Sequence, residues 1–376
     1  MSMAYFDNAA AMPAGTSALE DFCRFAHEFP ANQEAIHDAG YAARKRLEQA
    51  ERELVEALTP SASQTAQVIW SHTGSDTIRC TIEAMNLKSG NIVTSKIEHP
   101  ALLAALKRTH AKIRYVKIAS NGLADLESLR ELIDSETRLV TLFHVQSETG
   151  AKHNLTALKQ ISKIINEQGE NTEFMLDSIQ SAGKTAIPWD DAKLDYIFVS
   201  GHKIGAPGGA AVLTRNKAVR DCYLKLRHQE YLTGRVEPAA ILTMVEAIKR
   251  RSTKGFYQEQ VGKLNMRLRE LLSAMPPKIK PVITNELTEA SEYILHCRLP
   301  GFQSAVIVRM LSEAGFAVSS GSACAAEAGG PSAALTAMGF KRDDAYSGLR
   351  ISFSEKNTIE EVESLVETLQ KVLSDY

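Results

Sequence analysis

Short apolar runs alternate with helical patterns between residues 67 and 214, and this alternation limits the fold more than any other feature of the chain. Most gaps between the runs carry apolar residues at helical spacing, as Leu155–Gln168 does. Strand and helix in alternation predict βαβ units and a mostly parallel, seven-stranded sheet. The predicted strands are Gln67–Trp70, Asn91–Thr94, Ile113–Ile118, Leu139–His144, Phe174–Leu176, Tyr196–Val199 and Ala210–Leu213.

A second and shorter pattern begins after residue 251. It predicts a strand at Tyr293–Leu299, a helix near Gln303–Ala314 and a strand at Gly348–Phe353. A closing helix begins at Thr358, which forms a capping box with Glu361. We therefore predict an α/β fold with a large domain at 13–251 and a smaller α+β domain built from 1–12 and 252–376.

Charge and cysteine content argue against several classes of protein. The 43 Lys and Arg residues nearly balance the 45 Asp and Glu residues, whereas nucleic-acid-binding proteins usually carry a basic excess. No apolar stretch approaches the ~18 residues of a membrane span, and the N-terminus lacks the pattern of a secretory signal. The five cysteines form no CxxC pair, which argues against a disulfide framework or a zinc site. We expect a cytoplasmic protein with no bound metal, no membrane segment and no direct contact with nucleic acid.

A lysine and an aspartate follow two of the predicted strands. Lys203 lies in Ser200-Gly-His202-Lys203, directly after an apolar run, and Asp177 ends the preceding run. Each has an ordinary alternative, because such a lysine is often a surface residue and such an aspartate often caps a helix. Together, at the carboxyl ends of parallel strands, they are what a pyridoxal phosphate (PLP) site needs: an amine for a Schiff base and a carboxylate for the pyridine nitrogen.

Three further groups of residues fit the same site. Gly74 and Ser75 lie where a strand passes into a helix, whose N-terminus attracts phosphate, although the pair is also an ordinary helix start. His99 follows another strand and either lies over a cofactor ring or is structural. Gln146 and Ser147 end a further strand and either reach the cofactor's phenolic oxygen or close a polar turn.

A run of small residues near the C-terminus contains one cysteine. Cys324 lies in Gly-Ser-Ala-Cys, with no bulky side chain until Leu335, and an exposed thiol there favours a reactive role. We expect the other four cysteines to pack in helices and strands; they are Cys23, Cys80, Cys222 and Cys297. Downstream, Arg350 stands in an otherwise apolar strand, where it either extends to solvent or binds a carboxylate through its planar fork.

These stretches resemble the cysteine desulfurases of the NifS/IscS type, in the class V branch of fold-type I PLP enzymes. The resemblance runs from Tyr5-Phe-Asp-Asn8 to the closing helix, and the Asp-x-x-Gln, Ser-Gly-His-Lys and Gly-Ser-Ala-Cys motifs occur in family order. It implies that L-cysteine is the substrate, that the protein is a homodimer, and that a persulfide formed on Cys324 passes to a sulfur-acceptor protein. An iron–sulfur scaffold or a tRNA-thiolation protein would be such an acceptor.

The resemblance also implies a role for each site residue. Lys203 would carry the cofactor and Cys324 would be the nucleophile, while Arg350 and Asn8 would bind substrate. His99 would stack on the ring and relay protons. Asp177 would pair with the pyridine nitrogen and Gln180 would contact the phenolic oxygen. The phosphate would be bound by Ser75, Ser200 and His202, and the other cofactor contacts would be Gly74 and Ser147.

Three segments depart from the family pattern, and the mildest change is Thr73-Gly74-Ser75-Asp76 in place of Gly-Gly-Thr-Glu near the phosphate. The usual Asn-Asn-Glu is Gln146-Ser147-Glu148 here, so either residue could replace the asparagine contact. A threonine that in the family reaches the partner subunit's phosphate has no exact match, which leaves Thr233 or Arg235. A selenocysteine lyase, another class V PLP enzyme and a non-catalytic interaction protein therefore stay open as alternatives.

Overall fold

The computed structural model describes residues 3–59, 65–227, 235–321 and 330–376. Three short 3₁₀ turns in these ranges lie at Gly201–Lys203, Gly255–Tyr257 and Leu287–Glu289. The strands are β1 (Ala4–Tyr5), β2 (Gln67–Ser71), β3 (Asn91–Ser95), β4 (Lys112–Val116), β5 (Thr137–Phe143), β6 (Glu173–Asp177), β7 (Tyr196–Ser200), β8 (Ala210–Thr214), β9 (Val282–Ile283), β10 (Ile294–Arg298), β11 (Phe316–Ala317) and β12 (Gly348–Ser352). The helices are α1 (Thr16–Glu28), α2 (Asp38–Leu58), α3 (Gly74–Ala84), α4 (Pro100–Leu106), α5 (Leu126–Leu132), α6 (Leu155–Gln168), α7 (Lys217–Arg227), α8 (Pro238–Thr253), α9 (Gln258–Ala274), α10 (Ser304–Glu313), α11 (Ala333–Ala337), α12 (Arg342–Tyr346) and α13 (Ile359–Asp375).

The predicted main sheet is confirmed. Its seven strands lie in the order β2-β8-β7-β6-β5-β3-β4, and they correspond to the seven strands predicted between residues 67 and 214. The pairs within β4, β3, β5, β6 and β7 are parallel, whereas β8 runs antiparallel to both of its neighbours. The carboxyl ends of β5, β6 and β7 therefore meet at one edge of the sheet, which is where a parallel sheet usually binds its ligand.

Helices cover both faces of this sheet, and its central strands are mostly apolar for that reason. In β7, Ile197 and Val199 contribute to a core that includes side chains of α2, α6 and α8. Tyr196 and Phe198 alternate with them and pack into the opposite core, which contains side chains of α3, α4 and α7. Burial on both faces explains why apolar runs, rather than an alternating pattern, marked these strands in the sequence.

The C-terminal third of the chain forms a separate sheet of three strands, in the order β12-β10-β9. Strand β1 pairs in parallel with β11, which brings the N-terminal residues to this part of the molecule. Phe6 and Met12 accordingly belong to the same core cluster as side chains of β10, β12 and α13. The capping box of Thr358 and Glu361 at the start of α13 is confirmed. The division into domains at residues 12 and 251 stays a prediction.

The cysteine environments agree only in part with our expectation. Cys80 and Cys297 are buried, and burial raises the pKa of the Cys297 thiol to about 12. Cys222 is half-buried, whereas Cys23 is exposed on α1, so the expectation that Cys23 packs in the interior was wrong. The pattern of α1 did not reveal this, because cysteine is small enough for either face of an amphipathic helix. Within the described ranges, no helix is long and apolar enough to cross a membrane.

Candidate active site

A cleft with about 770 Å³ of empty space opens at the carboxyl ends of β5, β6 and β7. Phe143, Asp177 and Ser200 stand at the ends of these three strands, and all three line the cleft. Every residue that we predicted to contact the cofactor is also part of its wall. These residues are Gly74, Ser75, His99, Ser147, Asp177, Gln180, Ser200, His202 and Lys203.

Lys203 reaches the cleft from the 3₁₀ turn that follows β7. Its Nζ donates hydrogen bonds to the carbonyl oxygens of Ala10 at 2.6 Å and Ala9 at 3.1 Å. Both carbonyls belong to the N-terminal segment, which thus crosses to the edge of the main sheet. The amine that we predicted to form the Schiff base is held in place by backbone from a distant part of the sequence.

Asp177 lies at the base of the cleft and is 7% exposed. Its Oδ1 accepts the Ile179 N–H at 3.0 Å, and burial raises the pKa of the carboxyl group. A positive ring nitrogen is the kind of partner that would stabilise its ionised form. Glu98 is buried near it, and burial raises the pKa of Glu98 as well, with a contribution from the charge of Asp177.

The N-terminus of α3 forms one wall of the cleft. Thr73 is the N-cap, and its side-chain oxygen accepts the Asp76 N–H at 3.1 Å. The Gly74 and Ser75 N–H groups, in the first turn, have no acceptor within the helix, so they suit an anion. We had not identified Thr73 from the sequence, although a threonine three residues before an acidic residue is a recognised start signal.

His99 caps α4 and faces the same cleft. Its Nδ1 accepts the Ala101 N–H at 3.2 Å, which requires that Nδ1 carry no proton. Burial lowers the pKa of His99, so the neutral ring is favoured, with its proton on Nε2. His99 therefore caps the helix through Nδ1 and provides a proton donor in the site through Nε2.

The polar residues Gln146 and Gln180 are both buried and both bonded to backbone. The Gln146 Oε1 accepts the N–H groups of Glu148 and Thr149 at 2.6 Å each, and its Nε2 donates to the Ile97 carbonyl at 3.1 Å. Gln146 therefore shapes the turn, and both Gln146 and the half-buried Ser147 beside it line the cleft.

The two predicted substrate-binding residues are not part of the cleft wall. Arg350 is 3% exposed, which rules out the alternative in which its side chain extends to solvent. Its guanidinium donates to the Asp7 carboxylate at 2.7 Å and to the Ser147 carbonyl at 2.8 Å, so it lies directly behind a wall residue. Asn8 donates to the Ser352 carbonyl at 2.9 Å and the Tyr5 carbonyl at 3.1 Å. Their roles toward substrate stay predictions.

Cys324 and Thr233 lie outside the described residues, but the two sides of the Cys324 segment are visible. Before it, Ser319 exchanges backbone hydrogen bonds with Arg350. After it, the Ser332 hydroxyl donates to the Glu148 carboxylate. Glu148 also lies beside Gly321, where a Cβ atom would come within 3.0 Å of its Oε1.

The cleft fits a flat, phosphorylated cofactor that forms a bond to an amine. The chain packs tightly at Gly74, where a Cβ would lie 2.7 Å from Ile179 Cδ1, so the Ile179 side chain would have to shift to admit a larger residue. The unpaired N–H groups of α3, the buried Asp177 and the Lys203 amine provide a contact for each part of PLP. Within the described ranges, no group of three or more His, Cys, Asp and Glu side chains could hold a metal ion.

Comparison with known proteins identifies the family. The aminotransferase class-V family matches residues 4–365, which is nearly the whole chain. This chain is a member of the aminotransferase class-V family. The mixed sheet, the Lys203 turn and the smaller C-terminal sheet are thus the fold of a class-V protein.

Two curated relatives of this class-V chain, both from bacteria, are named as cysteine desulfurases. A cysteine desulfurase of Klebsiella pneumoniae is 28% identical over 99% of this chain and 93% of its own length. A cysteine desulfurase of Shewanella putrefaciens is 29% identical over 76% of this chain and 70% of its own length. Among solved structures, a NifS-like protein from Rickettsia africae superposes over the full length of both chains with a TM-score of 0.84 and 22% identity. The predicted fold class is therefore confirmed.

Proposed function

We propose that this class-V protein is a PLP-dependent cysteine desulfurase, which converts L-cysteine to L-alanine and keeps the sulfur as a persulfide on Cys324. One observation carries the proposal: an amine, a buried carboxylate and a free helix N-terminus converge on one cleft. The names of the relatives, which match over nearly the whole chain, support the same reaction.

Cofactor binding is assigned to residues of two strand ends, of the turn after β7 and of one helix. The α3 N-terminus at Gly74 and Ser75, together with Ser200 and His202, would hold the phosphate. Asp177 would pair with the pyridine nitrogen, and Lys203 would carry the cofactor. Bound in this way, PLP supplies an electron sink for the carbanion that follows loss of the substrate's α-proton.

Proton transfer is assigned to Lys203 and His99. The Lys203 amine, once released from the cofactor, would take the α-proton as general base. The Nε2 proton of His99 faces the cleft because Nδ1 is occupied by the Ala101 N–H. His99 would thus give a proton before it accepts one. Arg350 would orient the substrate carboxylate through its planar guanidinium.

The sulfur transfer step is assigned to Cys324. Its thiolate would attack the substrate sulfur, so that an S–S bond forms and the substrate's Cβ–S bond breaks. The electron pair of the broken bond stays with the carbon skeleton, which is protonated and leaves as alanine. The persulfide then passes to a thiol of a sulfur-acceptor protein, for which an iron–sulfur scaffold or a tRNA-thiolation protein is proposed.

The remaining proposals concern assembly and location. We propose a cytoplasmic homodimer in which Thr233 or Arg235 reaches the partner subunit's phosphate. The Arg235 side chain is 43% exposed, and its guanidinium lies 3.8 Å from the Glu237 carboxylate. This weak pairing leaves its guanidinium free to turn toward a second subunit.

The test combines product analysis with a matched pair of cysteine variants. PLP-loaded protein is incubated with L-cysteine, alanine is quantified, and the residue that carries the persulfide is identified by mass. Cys324→Ala should abolish persulfide formation, whereas Cys23→Ala removes the thiol that is exposed on α1 and should leave persulfide formation intact. Turnover of L-cysteine by the Cys324→Ala variant at the wild-type rate would overturn the assignment. Wild-type protein that shows no visible lysine–PLP absorbance would instead indicate a non-catalytic protein, and faster turnover of L-selenocysteine a selenocysteine lyase.

A further inference from the structure

A second lysine lies close to the cleft, and the proposed reaction does not use it. Lys184 is 2% exposed, and its Nζ lies 5.5 Å from the centre of the Tyr293 ring. Burial lowers the pKa of Lys184, and the charges of Arg251 and Lys203 lower it further. A buried lysine costs free energy, which favours a specific role at this position.

Hydrogen bonds connect Lys184 with the cofactor lysine. The Lys184 Nζ donates to Gln180 Oε1 at 3.4 Å, and Gln180 Nε2 donates to the Ala9 carbonyl at 2.8 Å. Lys203 Nζ donates to the same Ala9 carbonyl at 3.1 Å. The Gln180 amide therefore lies between two lysines.

The two neighbours of this amide determine its orientation. The Lys184 amine donates to the oxygen end of the Gln180 amide, and the Ala9 backbone carbonyl, which only accepts, selects the nitrogen end. Nε2 carries two hydrogens, of which the Ala9 carbonyl takes one. The second hydrogen remains for a ligand in the cleft, which Gln180 lines.

We propose that Lys184 is a positioning residue: by holding Gln180 Oε1, it keeps the Nε2 donor of Gln180 turned toward Ala9 and the cleft, where it stabilises the phenolic oxygen of PLP. The inference rests on the proposed function, because it requires PLP on Lys203. In this role Lys184 touches neither cofactor nor substrate and acts only through the orientation of the Gln180 side-chain amide.

This arrangement has a spectroscopic consequence. A hydrogen-bond donor to the phenolate stabilises it most where the lysine–PLP linkage is unprotonated, so it lowers the pH at which the linkage titrates. Replacement of Lys184 by methionine leaves Oε1 without its donor, and the amide loses its fixed orientation. We expect the midpoint of the visible-absorbance titration to rise by about one pH unit in Lys184→Met, the size of effect expected when a hydrogen bond to a charged group is lost.

The experiment is a double-mutant cycle on PLP-loaded protein without substrate. Absorbance is titrated for wild type, Lys184→Met, Gln180→Ala and the double variant, and PLP affinity is measured beside it. Lys152→Met is the matched control, since Lys152 is a half-buried lysine that pairs with Glu292 at 2.9 Å. The control should keep the wild-type midpoint, and Lys184→Met should add no further shift in the Gln180→Ala background.

Two results would overturn the inference while the proposed function stands: a wild-type midpoint in Lys184→Met, or an equal shift of that variant with and without Gln180. Absence of lysine–PLP absorbance in the wild type would overturn both. Lys184→Gln keeps an N–H donor at this position, so this variant is the alternative test if Lys184→Met fails to fold. It should keep the midpoint within about 0.3 pH units, and a shift of a full unit would count against the proposed role.

Discussion

The Arg350 guanidinium donates to the Asp7 carboxylate over 2.7 Å, so a buried arginine and a half-buried aspartate 343 positions apart in sequence form an ion pair behind the cleft. The same guanidinium donates to the carbonyl of Ser147, a residue of the cleft wall. Within the described residues, Arg350 Nε has no hydrogen-bond partner. The two hydrogen bonds thus fix the orientation of the Arg350 guanidinium, and its Nε–H remains as a donor for a further acceptor.

Substrate binding should depend on the shape of the Arg350 side chain as well as on its charge. Arg350→Lys keeps the charge but loses the planar fork, so we expect KM for L-cysteine to rise about tenfold or more, with a smaller change in kcat. Alanine formation is measured against L-cysteine concentration. Arg298→Lys is the control, because Arg298 lies on the adjacent strand β10 and pairs with Asp344. Equal KM values for the two variants would argue against the assignment.

PLP affinity should be sensitive to one methyl group at the start of α3. In Gly74→Ala, the new Cβ would meet Ile179 Cδ1 at 2.7 Å, and Ile179 is itself part of the cleft wall. We expect the Kd for PLP to rise about tenfold, equivalent to about 1.4 kcal/mol. Gly262→Ala in α9 is the control, since its Cβ would find only Glu292 Cγ at 3.9 Å. Unchanged PLP affinity in Gly74→Ala would show that the close approach of the chain at Gly74 is not needed for phosphate binding.

Stability at acidic pH should depend on His296. Burial, with the charges of Arg350 and Arg298, lowers its pKa from 6.5 to about 3. The unfolded chain therefore binds this proton between pH 6.5 and 3 while the folded protein does not, and the free energy of unfolding falls as pH falls through that window. The contribution is about 1.4 kcal/mol per pH unit.

His296→Gln removes this contribution, so wild type should lose about 2 kcal/mol more than the variant between pH 6.5 and 5. Urea unfolding at a series of pH values measures the difference. His27→Gln changes an exposed histidine of α1 and should follow wild type. Parallel curves for wild type and His296→Gln would show that His296 is protonated in the folded protein.

Delivery of sulfur to Cys324 should depend on how the end of its segment is held. Ser332→Ala removes the hydroxyl that donates to Glu148, and we expect the single-turnover rate of persulfide formation to fall about fivefold, while PLP affinity is unchanged. Persulfide on Cys324 is followed by mass. Ser304→Ala also removes a buried hydroxyl donor, to the Tyr346 carbonyl, but far from Glu148. A similar fall in both variants would indicate a general loss of stability.

Apolar runs and motif order predicted the main sheet and the residues of the cleft, because both depend on short stretches of sequence. The direction of β8 could not be predicted, since a buried strand has the same apolar pattern in either direction. The contacts of Lys203 with Ala9 and of Arg350 with Asp7 join residues far apart in the chain. Lys184 was missed for a similar reason: its burial depends on Tyr293, more than a hundred positions later.

The N-terminal strand has a consequence for the order of events during synthesis. Ala4 and Tyr5 pair with Phe316 and Ala317, and the Ser352 N–H donates to the Phe6 carbonyl. These partners leave the ribosome after β2–β8, which emerge earlier and are able to pair among themselves. The backbone that holds the Lys203 amine is therefore anchored only once β12 has been made. We therefore expect PLP to bind in the completed cleft only after the C-terminal sheet has been translated.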